Sequence, residues 1–331
     1  MTVREQNPEP KNPVGIDGIE FVEFATSAPQ ALGAVLQRMG FAPVARHRSR
    51  EVMLYRQGSM NLIVNAHPGA LPALAAADGS PAIAAIALRV RDAAFAWKHS
   101  CDLGAWPKAP AASAMELNIP AIQGPGGSLL YFVDRYREFS IYDVDFVPLP
   151  SVNLHPPALA GMHYFGVVQA IHEERTAAWV DFYRSLFGFT ELPMGTHFGI
   201  LPKGTLLESP CRKFYMQLIE PPPGAEDVVW DESLVRVGIG AVEVAAATRA
   251  LGANGVVFVD REPFQPSDKG ALTQTYLGTV SFELVHSHIT PDASAAVPSS
   301  AHAAGAAAGA EAGNMSGTMT GTAAKSPSSA K

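Results

Sequence analysis

Cysteine is nearly absent: Cys101 and Cys211 are the two in 331 residues. Two thiols make neither a disulfide framework nor a four-thiolate zinc site. Both read as ordinary small side chains, a usage that fits a reducing compartment. Charge is sparse as well, at 17% of residues. Positive charge is the scarcer sign, with 24 Lys and Arg against 31 Asp and Glu and a formal net charge of −7. No cluster of Lys and Arg occurs, which argues against a nucleic-acid partner, because phosphate binding draws on grouped cations. Long apolar runs are missing too. No segment approaches the roughly 20 residues that span a bilayer. The polar opening MTVREQNPEPKNP lacks the apolar core of a secretion signal. These absences predict a cytoplasmic protein without a membrane partner.

What is present is a large apolar fraction, 47%, enough for a sizeable core over a length that accommodates two domains. Composition changes after His288. From Pro291 to Lys331 the chain is Ala, Gly, Ser and Thr with almost no large apolar residue. Such a stretch cannot bury enough surface to offset the entropy of ordering. Residues 290–331, His302 included, are therefore expected to be a disordered tail, and residues 1–12 a flexible N-terminus. A proline-dense stretch from Pro148 through Pro150 to Pro156 and Pro157 reads as a linker, 148–158. It separates two folded halves, 13–147 and 159–289.

Within those halves one pattern occurs four times: an apolar strand, a helix, a glycine, then an extended run. The segments are IEFVEFA to VLQRMGFAPVA, AIALRV to SCDLGAWP, MHYFGVV to YRSLFGFTEL, and LVRVGIG to TRALGANGVVFV. The glycines are Gly40, Gly104, Gly188 and Gly252, residues suited to left-handed helix caps. Inside each half the interval between them is 64 residues; across the linker it is 84. Short strands follow each helix, among them VMLYRQG, SLLYFVD, RKFYMQLIEP and TVSFELV. One strand, one helix and about three strands make a βαβββ unit. The prediction is an α+β fold of four such modules, paired into two half-open barrel domains that can each enclose a ligand.

This arrangement resembles the vicinal oxygen chelate superfamily. The local wording narrows the resemblance. NPVGIDGIEFVEFA, VARHRSREVMLYRQGSMNLIVN, ELNIPAIQGPGGSLLYFVDR and SIYDVDFV are similar to bacterial 4-hydroxyphenylpyruvate dioxygenases. The likeness continues more loosely through MHYFGVV, WVDFYRSLFGF, LIEPPPG and DKGALTQTYLGTVSFELV. It implies a non-haem Fe(II) enzyme that converts an aromatic 2-oxo acid and O₂ to homogentisate and CO₂. It implies a structural N-terminal half and a C-terminal half that carries the iron. It also makes a homo-oligomer one of the assemblies open to the chain.

The family's iron sits on two His and one carboxylate, a set that leaves three positions open for O₂ chemistry. By resemblance the first ligand is His163 and the carboxylate is Glu283. The second histidine falls on Arg236, a permanent cation without an acceptor lone pair, which cannot ligate iron. Two resolutions are open. Arg236 can replace the metal's charge by pairing with Glu283 and a substrate carboxylate. Alternatively a third ligand comes from Gln217, which stands 29 residues after Gly188 much as Glu283 stands 31 after Gly252. Strand alternation puts Gln217 on one face with Ile219, where the family keeps a substrate-facing residue. Gln274 matches a family glutamine that hydrogen-bonds the substrate. The expected site is therefore His163, Glu283 and Gln217 as metal ligands, Gln274, Gln217 and Ile219 against substrate, and Gln274 and Arg236 in the chemistry. His286 and His288 fall on the strand face opposite Glu283, and His197 precedes a strand. The segment from Val257 to Glu283 is short for the family, and no lid helix is expected after Glu283. Three functions follow: an Fe(II) dioxygenase of this type, a metal-free relative that binds an aromatic acid, and another superfamily enzyme, a lyase or ring cleaver, using a divalent ion.

Overall fold

The computed structural model describes residues 11–67, 70, 79–109, 117–137, 139–196, 198–202, 204–222, 224 and 230–288. Residues 1–10, His197 and the expected tail at 290–331 lie outside the described residues. The first half runs β1 (Gly18–Ala25), α1 (Pro29–Arg38), β2 (Ala42–His47), β3 (Val52–Gln57) and β4 (Met60–Asn65). It continues with β5 (Ala82–Arg89), α2 (Ala93–Asp102), β6 (Ala121–Gln123), β7 (Leu129–Val133), α3 (Ile141–Asp145) and β8 (Phe146–Pro148). The second half runs β9 (His163–Ala170), α4 (Thr176–Phe187), β10 (Thr190–Glu191), β11 (Thr205–Glu208) and β12 (Tyr215–Ile219). It ends with β13 (Ser233–Ala241), α5 (Val244–Ala253), β14 (Gly270–Leu272) and β15 (Phe282–His286).

Local sequence explains the helices. Pro29 opens α1, where its missing N–H is no loss, and Leu32, Val35 and Leu36 bury one stripe. The Asp92 side chain caps α2 by accepting from the Phe95 backbone N–H at 2.8 Å. In α4, Val180, Tyr183, Leu186 and Phe187 form the buried face, the spacing of a helix that covers a sheet.

Each half builds one sheet, in the orders β6-β7-β5-β1-β4-β3-β2-β8 and β10-β11-β12-β9-β13-β15-β14. The duplication is visible in the pairing. The first strands of two modules lie antiparallel at each centre, β1 with β5 and β9 with β13. Each takes its own module's last strand as a parallel neighbour: β4, β7, β12 and β15 respectively. Neither sheet closes into a barrel. Modules two and four depart from the expected strand count. The first strand after their helix is reduced to one bridge, Pro107 with Ile122 and Phe258 with Thr273. The glycine repeat needs one correction. Gly40, Gly104 and Gly188 adopt positive φ after their helices, but Gly252 lies inside α5 and Gly255 takes the left-handed position. The helical run continues through Ala253, and the left-handed residue follows where the chain turns.

The helix-side faces of both sheets share one core, from Val22, Leu32 and Leu36 to Val167, Phe187, Ile239, Leu251 and Phe282. A buried polar network crosses the centre of the first sheet. Glu20 is buried and its carboxylate sits 2.6 Å from Arg89 Nε. Asn61 Nδ2 donates to Glu20 O at 3.0 Å, and Arg56 donates to Asn61 Oδ1 at 2.7 Å and to Leu154 O at 2.8 Å. Tyr164, on β9, donates its hydroxyl to Asn61 O. Burial raises the Glu20 carboxyl above its ordinary pKa, with Arg89 pulling the other way. Glu20→Ala leaves Arg89 without its counter-ion at this seam. Removing one partner of a buried pair costs about 3–5 kcal/mol. The expected outcome is a fall of that size in urea-unfolding stability, with a smaller fall for Glu20→Gln.

Candidate functional site

The second sheet presents one face to the shared core and the other to the expected site. Val167, Met216, Leu218, Val237 and Ile239 take the core side. Alternation then puts Val168, Gln217, Arg236 and Gly238 on the opposite face. Register makes the arrangement specific. Gln217 and Arg236 both pair with Val168, from β12 and β13, so the three form one row across the sheet. Gly238 pairs with Glu283 in the parallel β13–β15 ladder. Arg236 therefore stands one pleat along the strand from Glu283 on the same face.

The expected ligands are placed as follows. His163, 3% exposed, begins β9; its Nδ1 lies 3.2 Å from Gly161 O and its Nε2 3.1 Å from Ser287 Oγ. With the Nδ1 proton on Gly161 O, Nε2 accepts from the Ser287 hydroxyl. The imidazole lies over Gly240, where any Cβ would run into the ring. Glu283 is 1% exposed and Gln217 5%. These two line one cavity of about 10 Å³ with Phe165, Tyr215 and Gly238, and His163 is outside its lining. The Gln217 amide nitrogen donates to Pro202 O at 3.1 Å. Ile219 ends β12 half-buried. Arg236 is half-buried. Burial lowers its pKa, and the charge of Glu283 opposes that shift.

Gln274 departs from expectation. It is exposed, and its backbone N–H donates to Val257 O at 2.9 Å. Its neighbour Thr273 takes the inward position, where the Thr273 Oγ1 accepts from the Phe282 N–H. An extended chain that turns residue 273 in turns 274 out. His286 and His288 are exposed, with rings 4.5 Å apart.

Sequence reasoning missed Ser287 and the aromatic filling. Phe165, Phe198 and Tyr215 pack ring on ring at centroid distances of 4.9–5.3 Å. The cavity that Glu283 and Gln217 line beside these rings has room for about one water-sized group. The alternating small residues Gly238 and Gly240 carried the one signal available, space for a side chain from a neighbouring strand.

The donor set does not fit Fe(II). Arg236, where the resemblance expects a second histidine, is a cation without a lone pair, and His163 directs Nε2 to the Ser287 hydroxyl. Among the described residues no three His, Cys, Asp or Glu side chains form a group that could hold a metal ion.

Burial also holds the His163 imidazole below its ordinary pKa. Between the folded value and the unfolded value near 6.5, the unfolded chain takes up a proton that the fold refuses. The contribution of His163 is thus complete above the unfolded pKa and is lost as pH falls through the folded one. Urea midpoints measured from neutral to mildly acidic pH should fall more steeply for the wild type than for His163→Gln.

Comparison with known proteins bears on this geometry. A family model described as hydroxyphenylpyruvate dioxygenase, N-terminal, matches residues 10–147. A 4-hydroxyphenylpyruvate dioxygenase of Pseudomonas sp. (strain P.J. 874) is 43% identical over 184 residues, 55% of this chain and 51% of that protein. Another from Pseudomonas aeruginosa is 30% identical, covering 84% of this chain and 90% of its own. A solved xylose isomerase-like TIM barrel/4-hydroxyphenylpyruvate dioxygenase fusion protein matches with a TM-score of 0.66 and 25% identity. That match covers 84% of this chain and 50% of the fusion. The chain thus spans about half of the first of these relatives and of the fusion protein. Both sheets follow the vicinal oxygen chelate pattern, and no helix among the described residues is long and apolar enough to cross a membrane. The near full-length match to the Pseudomonas aeruginosa protein, together with the duplicated topology, means that the chain belongs to the 4-hydroxyphenylpyruvate dioxygenase family.

Proposed function

We propose that this chain is a metal-free member of its family that binds a small aromatic acid. The observation that carries the reading is Arg236, set one pleat from Glu283 on the site face of the second sheet. A guanidinium there supplies positive charge to the buried carboxylate without an ion. At a separation of about 7 Å, two strand residues apart, a further cation would meet repulsion of roughly 2.4 kcal/mol per unit charge in a surface-like dielectric. The packing of Phe165, Phe198 and Tyr215 supports the metal-free part of the reading alone: it occupies the space an aromatic substrate would need on this face, so the acid binds elsewhere on the chain.

A second reading is favoured by the burial of His163 and Glu283, the residue types that the resemblance implies at two ligand positions. On that reading the chain oxidises an aromatic 2-oxo acid such as 4-hydroxyphenylpyruvate with O₂ to give homogentisate, using Fe(II) held by His163, Glu283 and Gln217. The two readings part in one experiment. Fe(II) is added anaerobically to wild type and to Arg236→His, bound iron is measured after desalting, and O₂ uptake with 4-hydroxyphenylpyruvate is followed. The expected outcome is substoichiometric iron and no O₂ uptake in the wild type. Arg236→His should raise iron affinity about tenfold or more, since it removes the repulsion and adds a donor. Stoichiometric iron with turnover in the unmodified protein decides for the dioxygenase.

A further inference from the structure

The face of the first sheet that turns away from the shared core is built differently. Between that face, α2 and the segment leading to β6 lies a cavity of about 350 Å³, within the range of small-molecule pockets. On the corresponding face of the second sheet, the cavity lined by Gln217 and Glu283 is about 10 Å³. The larger cavity is walled by rings: Phe21 of β1 and Tyr131 of β7 pack with centroids 5.9 Å apart, and Trp97 of α2 contributes another wall.

Polar groups converge on the same space. Glu23 lies one pleat from Phe21 on β1, and its Oε1 accepts from Asn65 Nδ2 at 2.9 Å. The Tyr131 hydroxyl makes no hydrogen bond among the described residues. Arg50, in the β2–β3 turn, acts electrostatically on both Glu23 and Tyr131. Lys108 adds a second cation to the lining. Burial raises the Glu23 carboxyl above its ordinary pKa, against the pull of Asn65 and Arg50, so Glu23 is suited to hydrogen-bonding a neutral polar group. The ring walls suit a planar apolar body, and the cations suit an anionic end.

We propose that this cavity binds a small aromatic carboxylic acid bearing a ring hydroxyl. The ring lies among Phe21, Tyr131 and Trp97, the hydroxyl meets Glu23 or Tyr131, and the carboxylate meets Arg50 and Lys108. This deepens the function proposed above by placing the ligand in the first sheet, the half expected to be structural.

The test uses the full chain and 4-hydroxyphenylacetate, followed by calorimetry and by intrinsic tryptophan fluorescence. Tyramine, with the same ring and hydroxyl but an ammonium end, is the charge control. Arg50→Ala removes a charge-assisted contact from a surface turn. Ala94→Trp narrows the cavity from an exposed position on α2, so neither change touches the core. Circular dichroism checks that both variants fold. Binding of 4-hydroxyphenylacetate at millimolar concentration or tighter is expected, with a loss of about tenfold or more in each variant and no tyramine binding. Absence of binding to the wild type overturns the proposal. So does unchanged affinity in both folded variants, or tyramine binding as tightly. Iron binding at the second sheet would defeat the metal-free reading and leave these binding results untouched, so the two failures are distinguishable.

Discussion

The buried pair of Glu20 and Arg89 is the constraint on which the two halves depend. It sits where β1 and β5 run antiparallel, the axis of the first duplication. Asn61 extends it to β4, Arg56 carries it to the linker carbonyl of Leu154, and Tyr164 brings in the first strand of the second half. A carboxylate in such a position is costly to desolvate unless every partner is present. The strand pairing, the path of the linker and the seating of β9 are therefore satisfied together. Other links act in the same direction: Asp17 meets Lys213 at 2.7 Å, and Thr279 donates to Pro81 O.

Around that centre the same topology is used in two ways. In the second sheet Phe165, Phe198 and Tyr215 fill the site face. In the first, Phe21 and Tyr131 line a face that stays open, while Ile141, Tyr142 and Phe146 of α3 and β8 pack against a neighbouring part of it. A half-open sheet leaves one face to be either packed or used. Which occurs depends on side-chain volume, not on strand order, so family membership places the sheets without deciding which of them holds a ligand.

Charge follows the same logic. A buried Glu283 needs a positive neighbour, and a metal ion or a guanidinium can serve. Arg236 is fixed to the sheet and always charged, so it stabilises the carboxylate without leaving coordination positions open. On the proposed reading, an arginine where the resemblance expects a histidine keeps positive charge on the face and alters the chemistry available on it.

The repeated strand–helix–glycine pattern determined the α+β modules, because capping and alternation are local properties of the chain. Alternation likewise put Gln217 on one face with Ile219, whereas the row it forms with Arg236 came from register. The identity of Arg236 was enough to raise the metal question, since ligand chemistry is a property of the side chain. Other features were decided only by tertiary structure. Gly252 and Gly255 compete for one cap, and the helix ends where packing stops. Gln274 turns outward because Thr273 takes the bond to Phe282 N–H, a strand that arrives later in the chain. His163 finds Ser287 from β15's far end, and Phe198 reaches Phe165 from a separate segment. The open cavity over Glu23 likewise exists because residues from β1, β3, β4, β7 and α2 leave space between them. Packing volume is a property of many distant residues at once, and no local pattern in the sequence encodes it.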